Sequence, residues 1–367
     1  MNPNEKYAAI HYHSYLGLDK ILEAQVPRSG QFGKEAHDET LFIIIHQVYE
    51  LWFKQILHEL QSLIGLFEAE AVDEKNIGIA VSRIDRINEI FKLLIHQIDV
   101  LETMTPLDFL EFRNFLFPAS GFQSAQFRKT EVMLGLKMPQ RFSYQEKPYY
   151  NQLSSAQQEE IKQLESQRSL FELIEDWLER TPFIKCDGFS FVEEYKIAIA
   201  KMIEREKQAI TTNEYLSDEE REARLTMVSG NGEFFQQVLD PKAHAQKIEE
   251  GHVRISYDAM IAAVMIHVYR DQPILQLPYR LLDSITTMDE LMTSWRYRHA
   301  QMVMRMLGKK SGTGGSSGFD YLMETVKRHQ IFKDFHHIST LLIPRSDVPQ
   351  LPEKLMKDLS FYYSTKN

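Results

Sequence analysis

His299 is the residue of this sequence whose surroundings best fit a metal ligand. It lies on a helical stripe with Trp295, Met302 and Met306, at spacings of three or four residues. A single histidine on an apolar helical face is more often a hydrogen-bonded core residue than a ligand. These neighbours, however, would line a wide apolar slot that suits a porphyrin, and haem iron commonly takes a neutral imidazole as its ligand. His299 is therefore a candidate haem ligand, with a buried structural histidine as the alternative.

Other metal-binding arrangements have less support. Cys186 is the only cysteine, which excludes a cysteine zinc cage, and the CxxCH motif of covalent haem attachment is absent. His11 and His13 lack a third ligand nearby, so a solvated or hydrogen-bonded pair is the better interpretation. His336 and His337 are adjacent and would point in different directions on a helix. No HExxH motif is present, so nothing indicates a zinc protease.

His46 is a second histidine with aromatic neighbours. It follows Phe42 by four residues, so the two share one helical face, which Tyr49 and Phe53 continue. This pattern is compatible with a structural histidine that bonds a backbone carbonyl. It is also compatible with a hydrogen-bonding group on the distal side of a haem.

Arg113 and Thr313 are candidates for binding a carboxylate. Arg113 shares a helical face with Phe109 and Leu116, and a guanidinium on an apolar face needs an anion. That anion is either an internal Asp or Glu or the carboxylate of a substrate. Thr313 lies in SGTGGSSG, which lacks the GK[ST] ending of a phosphate-binding loop. This segment is either a flexible linker or a set of backbone N–H groups that hold a carboxylate or a haem propionate.

The composition narrows the partners and the compartment. Lys and Arg number 42 and Asp and Glu 52, giving a net charge of −10, which argues against nucleic-acid and anionic-membrane partners. The single cysteine fits a reducing compartment. The N-terminus lacks a signal-peptide core, and no apolar run approaches the ~18 residues that span a bilayer. These features predict a cytoplasmic protein.

Helical periodicity dominates and predicts an all-α fold that can position these side chains. We predict that Asp38 caps a long helix that ends near Glu68 and, being apolar on nearly every side, is buried. A second long helix is predicted from about Glu74 to Met104. The Thr105-Pro106 pair predicts the start of a short helix that Pro118 stops.

The chain is predicted to divide into a large helical domain and an insertion. Residues 1–143 and 247–367 form the two halves of the domain, and 144–246 a helical insertion or lid, because the flanking apolar blocks need each other to form a core. Within the insertion, LSSAQQEEIKQLESQRSLFELIEDWLERTP predicts one amphipathic helix, closed by Pro182. Thr287 to Glu290 match a capping box, which predicts the start of the helix that carries His299.

Four blocks of the sequence together resemble the tryptophan 2,3-dioxygenase family. They are YHSYLGLDKIL, HDETLFIIIHQVYELWFKQI, DFLEFRNFLFPASGFQSAQFR and WRYRHAQMVMRMLGKKSGTGGSSG. The resemblance covers most of the chain and implies a homotetramer with haem b, ferrous when active. It also implies cleavage of the indole C2–C3 bond of L-tryptophan by O2 to give N-formyl-L-kynurenine, the first step of tryptophan catabolism by the kynurenine pathway.

The resemblance assigns roles position by position. His299 in WRYRH matches the proximal haem ligand, and His46 in FIIIHQ matches the distal histidine that meets the indole N–H. Arg113 in EFRNF matches the arginine that binds the substrate carboxylate. Thr313 matches a threonine that contacts the ammonium and carboxylate groups. We expect His46 to act as a hydrogen-bond acceptor, because an indole N–H is far too weak an acid for imidazole to ionise.

Further positions complete the implied site. Three residues match the pocket wall: Phe42, Leu116 and Ser120. Tyr12 and Tyr15 in YHSYL match tyrosines that complete a neighbouring subunit's site. Some bacterial members have a tyrosine where Phe109 stands, and its hydroxyl touches the substrate carboxylate. That contact is missing here, so carboxylate binding should depend more heavily on Arg113.

Two other functions remain open at this point. One is a haem enzyme of the same superfamily that acts on a different indole, which the joint presence of His46, Arg113 and Thr313 disfavours. The other is a non-catalytic haem sensor or helical scaffold, which would need no carboxylate clamp.

Overall fold

Three long helices form the centre of the fold. They are α3 (His37–Phe67), α4 (Glu74–Leu101) and α13 (Pro273–Leu307). Helix α4 packs along both α3 and α13. The computed structural model describes residues 9–141, 148–186, 188–308, 310 and 318–359.

The remaining described elements are short to medium helices and one small hairpin. The other α-helices are α1 (Tyr12–Leu16), α2 (Leu18–Leu22), α5 (Pro106–Arg113), α6 (Ala125–Leu134), α7 (Ser155–Ser166), α8 (Leu170–Glu179), α9 (Phe191–Thr211), α10 (Asp218–Val238), α11 (Pro241–Glu249), α12 (Tyr257–Val268), α14 (Gly318–Arg328), α15 (Lys333–His337) and α16 (Glu353–Leu359). The 3-10 helices cover Ser29–Phe32, Asn114–Leu116, Gly121–Gln123, Met138–Gln140, Ile338–Leu341 and Arg345–Asp347. Strands β1 (Lys185–Cys186) and β2 (Phe189–Ser190) pair antiparallel. The all-α prediction is confirmed.

The main core forms where the apolar stripes of these helices meet. Ile56, Leu60 and Leu63 of α3 are fully buried in it, and so are Ile84 and Ile87 of α4. Helix α12 is buried over its whole circumference, as is typical of a helix that is apolar on all sides. Burial of such apolar surface is the main favourable contribution to folding.

The predicted insertion contributes to this same core. Leu170, Phe171 and Ile174 of α8 are fully or almost fully buried and belong to one apolar cluster with the residues of α3 and α4. Helix α10 is largely exposed. The division at residues 144–246 stays a prediction.

Helix α3 differs from the prediction at its start and in its burial. It begins one residue earlier than Asp38: Ala36 occupies the N-cap position without a side-chain hydrogen bond, and Asp38 lies in the first turn. There its carboxylate still interacts favourably with the positive end of the helix dipole. The helix is not buried on every side either, because Ile44 and Leu51 are 42% and 51% exposed.

Three predicted boundaries in the first half of the chain are confirmed or shifted. Thr105 caps α5 in a reciprocal capping box with Asp108, as the Thr-Pro sequence predicts. Helix α5 ends at Arg113, ahead of Pro118, and Leu116 lies in the 3-10 helix that follows. Helix α4 ends at Leu101 and not at Met104.

Two predictions about helix starts farther along the chain were wrong. The single amphipathic helix before Pro182 is two helices, α7 and α8, because Ser169 forms a second capping box with Glu172. The capping box predicted at Thr287 lies in the middle of α13, which starts at Pro273. Asp289 of that motif is fully buried and instead accepts the backbone N–H groups of Ile331 and Phe332, at 2.9 and 3.3 Å.

No helix within the described ranges is both long enough and apolar enough to cross a membrane.

Candidate active site

His299 projects from α13 as an uncharged imidazole. Burial and, to a lesser degree, the nearby imidazole of His46 together lower its pKa to about 4. The indole ring of Trp295, one turn earlier, stacks on it with ring centroids 5.6 Å apart and an angle of 22° between the planes. Among the described residues the ring nitrogens of His299 have no hydrogen-bond partner. A neutral, unpartnered imidazole with apolar neighbours is suited to bind a metal ion such as haem iron.

One ring nitrogen of His46 on α3 makes a hydrogen bond within the protein, and the other is available. Its Nδ1 lies 2.7 Å from the backbone oxygen of Phe42, which can only accept, so Nδ1 carries the proton. In the neutral ring Nε2 is then an acceptor. The side chain has solvent-exposed surface, but the surrounding protein removes much of its hydration, and this desolvation lowers its pKa. The hydrogen bond to Phe42 and the charge of Glu50 oppose part of that shift. His46 thus makes the hydrogen bond to a backbone carbonyl that a structural histidine would make, and its Nε2 remains available for a ligand.

Aromatic side chains form a wall beside His46. The Phe42 ring lies 4.1 Å from the His46 ring, 5.7 Å from Phe109 and 5.5 Å from Phe112. This wall belongs to a second apolar cluster that also contains Leu116, Met302 and Met306. The structure therefore brings together the pocket residues predicted from α3 and α5 with the two methionines predicted from α13.

A buried ion network fixes the orientation of α13 next to His299. Glu131 of α6 is 1% exposed and accepts hydrogen bonds from Arg296 at 2.9 Å, Arg128 at 3.0 Å and Arg141 at 2.8 Å. Burial alone would raise the pKa of Glu131, but the three arginines outweigh it and hold the pKa well below its usual range. Arg296 also donates to the backbone oxygen of His329 at 2.9 Å. Removing one member would leave a buried charge uncompensated, so the network holds α13 in register with α6.

The predicted carboxylate-binding residues are described only in part. Arg113 is half-buried at the end of α5, directly after Phe112, which is fully buried. Ser120 begins the 3-10 helix Gly121–Gln123, and its hydroxyl accepts the backbone N–H of Phe122 at 3.3 Å. Thr313 lies outside the described residues.

Tyr12 and Tyr15 do not reach the site of their own chain through any described contact. Both are 72% exposed, and helices α1 and α2 contain no buried residue. The segment that follows is tied to α3 by Gln47, which accepts from Gln25 at 2.6 Å and donates to the backbone oxygen of Ala24 at 3.1 Å.

Two residues next to the site were missed in the sequence. Phe112 packs edge-on against Phe109, with centroids 5.4 Å apart, and anchors the aromatic wall. Glu50 lies one turn after His46 and bonds Ser124 and Gln126. Its spacing of four residues from His46 was the available signal, although an acidic residue on a partly apolar helix is more often a solvated one.

The chain is similar to known proteins over nearly its whole length. A family model described as tryptophan 2,3-dioxygenase matches residues 2–342. The chain is 49% identical to the tryptophan 2,3-dioxygenase of Bdellovibrio bacteriovorus over 98% of its own length and 100% of the relative's. It is 44% identical to that of Alteromonas mediterranea, over 96% and 97% of the two lengths, and 43% identical to that of Dictyostelium discoideum, over 97% and 89%. On the strength of this match across nearly its whole length, the chain belongs to the tryptophan 2,3-dioxygenase family.

Proposed function

We propose that this chain is a haem-dependent dioxygenase that cleaves the C2–C3 bond of the L-tryptophan indole ring with O2. The product is N-formyl-L-kynurenine, and the reaction is the first step of the kynurenine pathway. The observation that carries the proposal is the pair of neutral imidazoles, His299 and His46, which come from different helices and lie near each other, in a chain of this family.

The residues around His299 fit a haem. The imidazole is unprotonated at neutral pH, as a metal ligand must be, and Trp295 limits the rotation of its ring by stacking. Met302 and Met306 continue the apolar face of α13 toward the wall formed by Phe42 and Phe109. When bound, haem b supplies the ferrous iron that makes O2 reactive toward the indole.

The substrate is positioned by the side chains opposite His299. His46 Nε2 accepts a hydrogen bond from the indole N–H, because Nδ1 is fixed as the donor to Phe42. Phe42, Phe109 and Leu116 enclose the indole ring and exclude water. Arg113 binds the carboxylate in a bidentate fork, Thr313 contacts the ammonium and carboxylate groups, and Ser120 forms part of the wall.

The direct test is a single-turnover experiment. The haem-loaded protein is reduced without oxygen, L-tryptophan and then O2 are added, and formation of N-formyl-L-kynurenine is followed by its absorbance. We expect product in proportion to haem. A shift of the haem spectrum on tryptophan binding without any product would support a sensor instead. Turnover of another indole but not of L-tryptophan would support a related haem enzyme.

His46→Ala should retain haem but lose part of the turnover. His46 contributes one neutral hydrogen bond to the substrate, worth about 0.5–1.5 kcal/mol, so we expect a loss of roughly ten-fold in kcat/KM. The measurement is haem content together with steady-state kinetics. A haem-free His46→Ala protein would contradict the assignment, because His46 would then be needed to hold the cofactor.

We propose that the enzyme is a homotetramer in which the N-terminal segment docks on another subunit. A short amphipathic helix is stable only when it packs on something, yet most apolar residues of α1 and α2 are exposed in the single chain. The exposed apolar residues of this segment are Ile10, Tyr12, Tyr15, Leu16, Ile21, Leu22 and Val26. The exposed Ile44 and Leu51 of α3 and Leu93 and Val100 of α4 provide further apolar surface for subunit contact.

Subunit complementation tests whether Tyr12 and Tyr15 act in a neighbouring site. One variant carries Tyr12→Ala and Tyr15→Ala, and the other carries Arg113→Ala, and each should be nearly inactive. In mixed tetramers some sites receive intact tyrosines and an intact arginine, so activity should return. Mixed oligomers, verified by two affinity tags, that stay as inactive as their parents would show that the tyrosines act within their own chain or have no role.

A further inference from the structure

Glu50 connects α3, the helix that carries His46, to the segment of residues 120–127, which begins with Ser120. It lies on α3 one turn after His46, and its side chain is half-buried. Its carboxylate accepts a hydrogen bond from the hydroxyl of Ser124 at 2.6 Å and another from the side-chain amide of Gln126 at 2.7 Å. The same amide donates to the backbone oxygen of Glu50 at 2.8 Å.

Both bonds to the carboxylate have a charged acceptor, and such hydrogen bonds are shorter and stronger than neutral ones. They also use both carboxylate oxygens, so the side chain of Glu50 is held at two points. Together with the bond to its backbone oxygen, they attach the segment to α3 within one turn of His46.

The attached segment is itself a stiff unit that ends at Ser120. Ser124 caps α6 by accepting the backbone N–H of Phe127, and its own N–H closes the preceding 3-10 helix by donating to Gly121. At the other end of that 3-10 helix, the backbone N–H of Ser120 donates to Gln123 at 3.2 Å. The position of Ser124 therefore determines the position of Ser120.

The same segment also touches the surroundings of His299. Phe127, three residues after Ser124, packs on Trp295 with ring centroids 5.0 Å apart, and Trp295 stacks on His299. A shift of the segment would thus alter both the wall at Ser120 and the support behind His299.

We propose that Glu50 is a positioning residue, which fixes the Ser120 wall of the site relative to His46 through Ser124 and Gln126. This inference rests on the proposed function, because Ser120 is taken there as part of the substrate pocket. Its physical basis is that substrate-positioning groups must be held closely to the productive geometry for the reaction to be fast. Glu50 contacts no substrate in this proposal and acts only through the segment.

The test compares Glu50→Ala and Glu50→Gln with a matched control, Glu165→Ala. Glu165 is also half-buried and also accepts two hydrogen bonds, from the backbone N–H of Met138 and the hydroxyl of Tyr149, but it lies on α7. Glu50→Gln keeps an oxygen for Gln126 and an amide for the Ser124 hydroxyl, so it preserves the link without the charge. Haem content, thermal unfolding and steady-state kinetics are measured for each protein.

We expect Glu50→Ala to lose about ten-fold in kcat/KM for L-tryptophan at unchanged haem content, and Glu50→Gln to recover to within about three-fold of the parent. Glu165→Ala should lose stability without a change in kcat/KM. If Glu50→Ala keeps the parental kcat/KM, or if Glu50→Gln is as impaired as Glu50→Ala, the positioning role is wrong.

Hydrogen exchange separates this proposal from the proposed function. Backbone amides of residues 121–127 should exchange at least about ten-fold faster in Glu50→Ala than in the parent, Glu50→Gln or Glu165→Ala. This measurement needs neither haem nor substrate. Parental protein that fails to turn over L-tryptophan would overturn the proposed function alone, whereas unchanged exchange in Glu50→Ala would overturn the positioning role alone.

Discussion

Replacing His299 with alanine should yield a helical protein that no longer retains haem. His299 is the residue of α13 that would hold the haem iron, and its low pKa keeps the imidazole unprotonated and available. The fold should survive, because the main core is formed by other residues of α13, such as Leu281, Ile285 and Met288, which are fully buried. The measurement is the ratio of the Soret band to protein absorbance, together with far-ultraviolet circular dichroism.

A second histidine provides a matched control for this experiment. His267 of α12 is also half-buried, and burial also lowers its pKa, but it bonds the backbone oxygen of Ala263 and lies on a different helix. His267→Ala should retain haem. His299→Gly should regain haem when imidazole is added to the buffer, because free imidazole can occupy the space of the missing ring. A normal Soret band at full stoichiometry in His299→Ala would show that the proximal assignment is wrong.

Replacing Arg113 with alanine should nearly abolish binding of L-tryptophan. A charge-assisted fork to a carboxylate in a water-excluded site is worth on the order of 2–5 kcal/mol, which corresponds to roughly 30-fold to several-thousand-fold in affinity. The effect should be at the upper end of this range, because Phe109 offers no hydroxyl as a second donor to the carboxylate. The measurement is the Kd of L-tryptophan from the shift of the haem spectrum.

The specificity of the loss identifies its cause. Tryptamine has the indole ring and the ammonium group but no carboxylate, so Arg113→Ala should change its affinity little. Arg113→Lys should recover only part of the affinity, because an ammonium group cannot form the bidentate fork. Arg205→Ala is the control for removing an arginine, since Arg205 is exposed and pairs with the carboxylate of Asp347. Equal losses for L-tryptophan and tryptamine would mean that Arg113 has a structural role.

Local signals in the sequence were sufficient for the helical character of the fold and for several of its boundaries. Thr105 and Pro106 predict the start of α5 because both act on the backbone within one turn, and the structure confirms the capping box with Asp108. The stripe of Trp295, His299 and Met306 follows from the helical repeat alone. The blocks that carry the family resemblance are also contiguous in the sequence, and the family is confirmed.

The same local signals failed where a distant group decided the outcome. Asp289 looks like part of a helix start, but a buried carboxylate can be satisfied by any N–H group, and here Ile331 and Phe332 provide them. The helix therefore runs through this motif. Glu50 gave little signal, because its role depends on Ser124 and Gln126, which are distant in sequence.

The sequence alone thus determined which residues could do chemistry and on which helical faces they lie, since the periodicity of a helix is a property of neighbouring residues. Only the tertiary structure decided that His46 and His299 lie near each other, that Phe42 and Phe109 share a cluster with Met306, and that the N-terminal helices stay exposed. The physical reason is that burial of apolar surface is favourable but non-directional. An apolar stripe must therefore pack against something, and the partner is set by the fit of the whole core.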